Sequence, residues 1–407
     1  MNSGTLQKFN SLALTGSLGN LVESFYFTDE PKFPQYSCYN EKNPESGGTS
    51  VDINEDAAKI KACGEFLERT CLDYRKGLSP ELIKMRFNEN DSDCIDPVRF
   101  VNFRNKDMKY KKKEYISLLR RSELHWVNGR DECSGRNILI PAQLVFVEYP
   151  FKEPLIRPRI STGTATAENF EEALSRGILE NVERDAYIIS YLSKRNLPKV
   201  ELEGNLKELE KYFNRYLIEL NIFDMTTDIN VPSYMCVAID RTGFGPAVSV
   251  GLKTGFDEIE SIRGSILEAH QIRQWVRHQY IQEDMPSISL ERIKSEKDRG
   301  FFWYGKKRIN NLDFLLKNEE TVRVEQTQRQ SIDKKSIINY LENKEIQTIS
   351  VDITHQLYKE SGFHVIRAVQ PELHPLFLEE EFPCYDSKRL NKFLGDGQIN
   401  SFPHPFI

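Results

Sequence analysis

A stretch of 24 residues occurs twice in this chain, at 46–69 and again at 161–184. The copies, SGGTSVDINEDAAKIKACGEFLER and STGTATAENFEEALSRGILENVER, align at one constant offset and share the ending E-x-x-E-R. Each is typical of a loop that leads into a helix with paired glutamates and an arginine at its end. An internal repeat is one structural unit used more than once, so it organises the fold. Two such units predict one ligand that is bound from two sides.

The overall composition gives no reason to expect binding to nucleic acid or to a membrane. The 407 residues carry a net charge of −6, which does not attract polyanions. No apolar run approaches the roughly 20 residues of a membrane span, and the N-terminus lacks the pattern of a signal peptide. The seven cysteines are scattered and contain no C-x-x-C pair, which predicts free thiols in a reducing cytosol. We therefore expect a cytoplasmic protein without disulfides.

Helix and strand patterns are interleaved along the chain, which predicts an α+β or mixed α/β fold. The predicted elements are helices over 55–75, 169–192 and 257–280, a strand over 137–149, a hairpin over 234–252 and a strand–helix–strand unit over 347–370. Asn54 is the predicted N-cap of the first helix. The basic run at 104–121 is interpreted as a solvated helix face, with a peptide or phosphate contact as the alternative.

The chain is expected to form a single domain over residues 1–407 whose parts differ in regularity. Prolines interrupt residues 1–45, which predicts an irregular segment. Residues 46–280 form the predicted core, and 281–345 are charged, poor in pattern and expected to be peripheral or inserted. Residues 346–407 complete the domain with a proline-rich tail.

The repeated glutamates lie along one face of each predicted helix. At spacings i, i+4, i+8 and i+11, the second copy presents Glu172, Arg176, Glu180 and Glu183, and the first presents Ala57, Lys61, Glu65 and Glu68. Neighbouring carboxylates repel each other unless a cation lies between them, and Mg²⁺ with bound phosphates is a natural solution. Arg69 and Arg184 can then pair with carboxylates or phosphates. The alternative is a duplicated structural element that binds no ligand.

A third segment adds to this pattern. Residues 261–277, SIRGSILEAHQIRQWVR, place Glu268 and Gln271 on one helix face, while Arg273 points away from that face. The amide of Gln271 can hydrogen-bond a nucleotide, although an ordinary surface amide is the simpler interpretation.

Together, these segments resemble the ATP-binding elements of the YcaO family. The second copy is similar to the E-x-x-E-R-D-A helix of the family with its small-residue lead-in, the first to S-x-x-x-E-x-x-E-R, and the third to E-x-x-Q-x-R. Further matches are LIPAQLVF, VDIT at 351–354, VIRAVQPELHP at 365–375 and the ending PHPF. Phosphate-loop and kinase signatures do not occur in the sequence. The chain is therefore identified as a member of this family over nearly its whole length.

The resemblance implies an ATP site with Mg²⁺ ions. The carboxylates that it implies as metal ligands are Glu65, Glu68, Glu172, Glu180, Glu183 and Glu268, and the implied ATP contacts are Arg184, Gln271 and Arg273. Lys61 replaces the usual serine of the first element, where it can itself reach a phosphate, and Glu168 replaces a small polar residue of the second. The family places its terminal carboxylate at the reaction centre, which implies Ile407 as a proton acceptor, although the last proline of the usual tail is missing. His404 is expected to pack rather than to act as a base.

The resemblance is to the azoline-forming branch, as a stand-alone subunit of a synthetase. It implies that a Cys, Ser or Thr side chain of a ribosomal precursor peptide attacks the preceding carbonyl and that ATP phosphorylates the resulting oxyanion. The implied partners are a leader-binding protein similar to ubiquitin-activating enzymes and a flavin-dependent azoline dehydrogenase, because the chain is expected to be too short for its own recognition module. The alternatives are thioamide or amidine formation, or a non-catalytic scaffold that binds nucleotide.

Overall fold

The computed structural model describes residues 3–24, 27–41, 43–76, 80–88, 93–103, 112–284, 287–324 and 332–407. The first part of the basic run, 104–111, lies outside the described residues. Its remainder forms a helix, as predicted.

The elements alternate along the chain and confirm the predicted α+β class. The helices of the described residues are α1 Ser3–Leu14, α2 Glu55–Cys71, α3 Lys112–Arg121, α4 Phe170–Leu192, α5 Gly204–Asn214, α6 Glu258–Gln282, α7 Glu296–Phe302, α8 Asp313–Leu316, α9 Ile337–Glu342, α10 Gln356–Glu360 and α11 Lys388–Leu394. The strands are β1 Asn20–Glu23, β2 Gln35–Asn40, β3 Asn43–Val51, β4 Ile83–Arg86, β5 Glu123–Asp131, β6 Asn137–Pro141, β7 Thr164–Ala167, β8 Lys199–Val200, β9 Ile218–Asp224, β10 Ser233–Asp240, β11 Val248–Thr254, β12 Thr321–Val322, β13 Ile349–Asp352 and β14 His364–Val369.

The predicted helices that carry the glutamates are confirmed. The side chain of Asn54 accepts the backbone N–H of Ala57 at 2.9 Å, which caps α2 as predicted. Helices α4 and α6 begin and end within two residues of the predicted bounds. The hairpin of β10 and β11 and the β13–α10–β14 unit are also confirmed. Helical periodicity therefore located the long elements correctly.

Two predictions about irregular and extended segments are wrong. Residues 1–45 contain α1, β1 and β2, because Pro31 and Pro34 lie in the connection between two strands rather than inside them. The predicted strand over 137–149 ends at Pro141, and a 3-10 turn follows at Ala142–Leu144. A proline has no N–H to donate to a strand ladder, which accounts for this early end.

The chain divides into two compact units. Unit 1 consists of Met1–Ser24, Pro34–Asn181 and Lys334–Leu373. Its described part contains an antiparallel sheet in the order β1-β2-β3 and a second sheet in the order β4-β5-β13-β14-β7, with β6 paired to β5. Helix α2 packs against β3, and Gly48 of β3 lies close to the backbone of Ala62 and Phe66. This packing fixes the face of α2 that carries its glutamates.

Unit 2 consists of Phe25–Phe33, Val182–Asp333 and His374–Ile407. Its described sheet has the order β11-β10-β9-β8-β12, and every residue of β10 is buried. Helix α6 packs against β11 and β10. The second segment of unit 1 ends at Asn181 and the second segment of unit 2 begins at Val182, both within helix α4. Helix α4 therefore contributes glutamates to both units. The single-domain prediction stays a prediction.

The segment 281–345 is not peripheral throughout, contrary to the prediction. Arg299, Phe301, Phe302 and Trp303 are buried in unit 2, and β12 pairs with β8 in its sheet. Arg299 is buried because its guanidinium donates to the carbonyl of His404 and to the carboxylate of Glu380. The average charge of a long segment conceals a short buried stretch within it.

All seven cysteines are free, as predicted, and six of them are buried. None of the helices in the described part of the chain combines the length and apolar character that a membrane crossing needs.

Candidate functional site

Three strand–helix elements, β3–α2, β7–α4 and β11–α6, carry the predicted carboxylates. In each of them a glycine stands seventeen residues before the first glutamate, namely Gly48 before Glu65, Gly163 before Glu180 and Gly251 before Glu268. A Cβ on Gly48 would lie 2.3 Å from the carbonyl oxygen of Ala62, and a Cβ on Gly251 would lie 2.2 Å from the carbonyl oxygen of Ser265. Ala62 and Ser265 each precede their glutamate by three residues, so the same close packing recurs. The sequence repeat therefore has three members rather than two.

The first glutamate of each helix accepts a backbone N–H from its own element. Thr49 donates to Oε2 of Glu65 at 2.9 Å, and Gly163 donates to Oε2 of Glu180 at 2.9 Å. Leu252 donates to Glu268 in the same way. Each carboxylate is thereby held in a fixed orientation over its strand.

The second glutamate accepts an N–H from the strand of the next element. Thr166 of β7 donates to Oε1 of Glu68 at 2.7 Å, and Thr254 of β11 donates to Oε2 of Glu183 at 2.7 Å. In α6 the corresponding position is Gln271. Strands β3, β7 and β11 each end the order of their sheet in the described residues. Exposed N–H groups at a sheet edge need partners, and here carboxylates supply them.

In unit 1 the carboxylates repel one another. The pKa of Glu68 is raised to about 8. Burial is the largest cause and the charges of Glu65 and Glu180 add to it, while the N–H of Thr166 and the charge of Arg69 act in the opposite direction. Arg69 lies 3.3 Å from Glu65. A group of carboxylates with this electrostatic signature favours a bound cation.

In unit 2 an arginine lies beside the carboxylates. The pKa of Glu268 is raised to about 7. Burial is the largest cause and the charge of Glu183 adds to it, while the charge of Arg184 acts in the opposite direction. The guanidinium of Arg184 lies 3.5 Å from Glu183 and 4.0 Å from Glu268, with the ring centroid of Phe406 at 4.3 Å. The N–H of Phe406 donates to the hydroxyl of Tyr187 at 3.2 Å, which fixes the tail against α4.

The donor set suits a magnesium ion that arrives with phosphates. Among the described residues, no three His, Cys, Asp or Glu side chains form a ready-made metal cage. Mg²⁺ usually takes only one or two protein carboxylates and completes its coordination with phosphates and water. In unit 1, Glu65, Glu68 and Glu180 would hold such an ion. In unit 2, Glu183 and Glu268 would do so.

Glu172 does not belong to the unit 1 group. It lies 3.0 Å from Arg176 and 3.2 Å from Lys334. Burial alone would raise its pKa, but these two cations bring it below its ordinary value. The structure thus gives Glu172 cation partners on its own surface, and its predicted role as a metal ligand gains no support.

The two departures from the family pattern also have partners within the protein. Lys61 lies 2.5 Å from Asp52 and is half exposed, and Glu168 lies 2.5 Å from Lys8. Each forms an ordinary surface ion pair, which contributes little free energy.

Arg273 is used inside unit 2. Its Nε donates to Glu30 at 2.7 Å, and its terminal nitrogens donate to Asp240 at 2.6 Å and to the carbonyl of Pro246 at 2.9 Å. It is buried, and each of its three nitrogens donates to a partner inside unit 2. The prediction that Arg273 contacts ATP gains no support from this geometry, because the arginine already serves a buried ion-pair network.

The tail packs into unit 2. His404 is buried, and its Nε2 lies 2.7 Å from the carbonyl of Phe377. Burial holds its pKa well below the ordinary value, in keeping with the expected packing role. Ile407 is half-buried, and its role as a proton acceptor stays a prediction.

A cavity of about 260 Å³ in unit 1 lies elsewhere. Its lining includes Asp93, Asp96, Arg99 and Asp131 but none of the predicted ATP-site residues. The candidate site therefore rests on the arrangement and charge of the carboxylates, not on this cavity.

A family model described as YcaO cyclodehydratase, ATP- and Mg²⁺-binding, matches residues 52–374. An uncharacterised protein of Methanothermobacter thermautotrophicus is 23% identical over 355 residues, which cover 83% of this chain and 85% of that protein. The family model spans α2 and the β7–α4 and β11–α6 elements, and it begins directly after β3.

Solved structures share the fold. A heterocyclase in complex with substrate and cofactor has a TM-score of 0.78 at 18% identity and covers 99% of this chain, which spans only 57% of that longer protein. YcaO from Methanopyrus kandleri, bound with AMPPCP and Mg²⁺, has a TM-score of 0.63 at 17% identity, with 91% of each chain covered. The E. coli microcin synthetase McbBCD complex has a TM-score of 0.65 at 13% identity, with 94% of this chain and 96% of that chain covered.

Proposed function

This chain belongs to the YcaO family of ATP- and Mg²⁺-binding cyclodehydratases, and we propose that it forms azoline rings on a ribosomally made precursor peptide. The observation that supports this most strongly is the recurring set of anchored glutamates. Five carboxylates are each held by a backbone N–H, and the pKa values of Glu68 and Glu268 are raised by burial and by neighbouring carboxylates. Such groups are suited to binding magnesium with a triphosphate.

The proposed reaction removes one water from the peptide at the expense of one ATP. The thiol or hydroxyl of Cys, Ser or Thr adds to the preceding amide carbon and loses its proton, and the carbonyl oxygen becomes an oxyanion. That oxyanion takes the γ-phosphoryl group of ATP, which leaves ADP. Loss of the amide proton and departure of phosphate then form the C=N bond of the thiazoline or oxazoline.

The carboxylates contribute by position and charge. Bound Mg²⁺ would neutralise the triphosphate and the charge that develops on the transferred group. The backbone N–H donors hold the glutamates in place before the nucleotide arrives, so little reorganisation is needed at the moment of reaction. Arg184, beside Glu183 and Glu268, adds positive charge that a phosphate can share.

The proposed partners follow from the family and from the neighbours. The microcin synthetase neighbour is by name a complex of several proteins, and the heterocyclase neighbour is by name bound to substrate. We propose that a ubiquitin-activating-enzyme-like protein delivers the leader of the precursor peptide. A flavin-dependent dehydrogenase that oxidises azolines to azoles is the proposed later partner.

Reconstitution tests the proposal. The purified chain, a candidate partner, a precursor peptide, ATP and Mg²⁺ should release phosphate and lower the peptide mass by one water for each ring. Glu180→Gln should abolish both signals, whereas Glu171→Gln, at an exposed position near the start of the same helix, should leave them unchanged.

Other results would overturn the proposal in different ways. A sulfide-dependent exchange of amide oxygen for sulfur would assign thioamide formation instead. An active complex that Glu180→Gln does not impair would assign this chain a scaffolding role.

A further inference from the structure

Arg367 is a buried cation with uncharged partners. It lies on β14, and its side chain is 2% exposed. In the described part of the chain its guanidinium donates to the carbonyls of Ser161 at 2.5 Å, Ile160 at 2.9 Å and Leu144 at 3.2 Å, and to the hydroxyl of Thr164 at 2.9 Å. Carbonyl oxygens thus replace the carboxylate that a buried arginine usually pairs with.

Other buried arginines of this chain do have acidic partners. Arg273 pairs with Glu30 and Asp240, Arg277 with Glu30, and Arg299 with Glu380. An arginine buried among neutral groups is expensive, because the charge is removed from water without a counter-charge. The pKa of Arg367 is accordingly lowered to about 9. Burial is the largest cause and the charge of Arg157 adds to it, while the charge of Glu180 acts in the opposite direction.

The segment that Arg367 binds also holds a site carboxylate. One terminal nitrogen of Arg367 bridges Ser161 and Thr164, which stand on either side of Gly163. The carbonyl of Gly163 accepts the N–H of Ala368 at 2.7 Å, and its own N–H donates to Glu180 at 2.9 Å. Gly163 has φ +92°, a backbone conformation that glycine adopts readily and other residues rarely adopt.

We propose that Arg367 is a positioning residue for Glu180. It fixes the backbone of 160–164 so that the N–H of Gly163 donates to the carboxylate. This inference rests on the proposed function, because Glu180 matters as a ligand only if Mg²⁺ and nucleotide bind there. Lysine cannot replace the arginine, since one ammonium does not reach four acceptors in a fork.

The first test does not depend on activity. In the metal-free protein, Arg367→Lys should speed amide hydrogen exchange in peptides covering 160–167 by about tenfold, because charge-assisted hydrogen bonds to that segment are lost. The matched control is Arg195→Lys, since Arg195 also binds the carbonyls of Met225 and Thr226 and the hydroxyl of Ser190. The control should leave exchange at 160–167 unchanged.

The second test measures binding of Mg²⁺·AMPPCP by calorimetry. Arg367→Lys should weaken binding about tenfold, and Arg195→Lys should not. In a double-mutant cycle, Arg367→Lys should have little further effect in a Glu180→Gln background but its full effect in a Glu268→Gln background.

The outcomes separate the two ideas. Unchanged exchange at 160–167 in folded Arg367→Lys would overturn the positioning role, and so would additive effects with Glu180→Gln. Wild-type protein that binds no Mg²⁺·AMPPCP would instead remove the proposed function, while the exchange experiment would still decide whether Arg367 positions the segment.

Discussion

The acidic groups of the two units use the same motif in different electrostatic settings. In unit 1, Glu68 has like-charged neighbours, and Arg69 lies 3.3 Å from Glu65 on the more exposed part of its helix. In unit 2 the arginine at the same motif position, Arg184, is 13% exposed and lies beside Glu183 and Glu268. One E-x-x-E-R pattern thus gives one group whose arginine is more exposed, and another whose arginine is largely buried beside two glutamates.

This difference indicates a division of roles. In unit 1 the carboxylates repel one another, so an added cation would relieve this repulsion. Unit 2 is partly neutralised in advance by Arg184, which the ring of Phe406 holds in place. We expect the unit 1 group to respond most to magnesium and the unit 2 group to respond most to the phosphates.

The largest expected effect is at Glu68. Glu68→Gln keeps an acceptor for the N–H of Thr166 but removes the charge, so we expect kcat/KM to fall by about 100-fold or more. The control Glu171→Gln should change it less than about twofold. Retention of most activity in Glu68→Gln would contradict a metal-binding role for this group.

The same variant should change how stability depends on pH. The pKa of Glu68 lies above its ordinary value of 4.5, at about 8 in the folded protein. Its stabilising effect in the protonated form is therefore complete below about pH 4.5 and is lost as the pH rises through 8. In EDTA, Tm should fall less between pH 5 and 8.5 for Glu68→Gln than for the wild type. If Tm changed equally with pH in both proteins, the pKa of Glu68 would be close to its ordinary value in the metal-free fold.

The arginine pair should show the next largest effect. Arg184→Met should weaken nucleotide binding by roughly 10- to 30-fold, because it leaves Glu183 and Glu268 without their cation. Arg69→Met should weaken it by less than about threefold, because Arg69 lies on a more exposed surface than Arg184. Calorimetric titration with Mg²⁺·AMPPCP measures both. Equal losses would erase the proposed difference between the units.

Proton release gives a smaller effect. At pH 7 the metal-free protein holds protons on Glu68 and Glu268, whose pKa values are about 8 and about 7. A cation that binds these groups should displace roughly one to one and a half protons in total. Calorimetry in two buffers of different ionisation enthalpy counts them, and Glu68→Gln should remove most of one. No release in the wild type would show that Mg²⁺·AMPPCP binds elsewhere.

Lys61 should have the smallest effect. Its ammonium pairs with Asp52 and is 51% exposed, so Lys61→Ala should change the KM for ATP by less than about twofold. A tenfold rise in that KM would instead support the sequence-based prediction that Lys61 reaches a phosphate.

The sequence located much of the candidate site because periodicity and repetition are local properties. Glu65, Glu68, Glu180 and Glu183 were found from two aligned segments, and the helices that carry them are confirmed. The third element was only partly found, since Glu268 and Gln271 were noted and the hairpin before them was predicted, but the strand and helix were not recognised as another copy of the repeat. A glycine at a constant distance before each glutamate was the available signal for it.

Other assignments gain no support, because they depend on partners far away in the chain. Glu172 fits the spacing of a ligand set and Arg273 matches a family motif, yet Lys334 pairs with the first, and Glu30 and Asp240 pair with the second. Arg367 lies within the segment 365–375, which matches the family. The residue type alone does not reveal that its guanidinium donates hydrogen bonds to the segment 160–164.

By itself, the sequence determined the class of the fold, the repeated helices, the family and the chemical type of the ligands, since these follow from residue type and spacing along one helix. Only the tertiary structure decided which edge-strand N–H holds each carboxylate, which arginine lies beside which glutamate, and which charged residues are already paired. Hydrogen bonds and burial join residues that are distant in the chain, so the spacing of letters does not encode them.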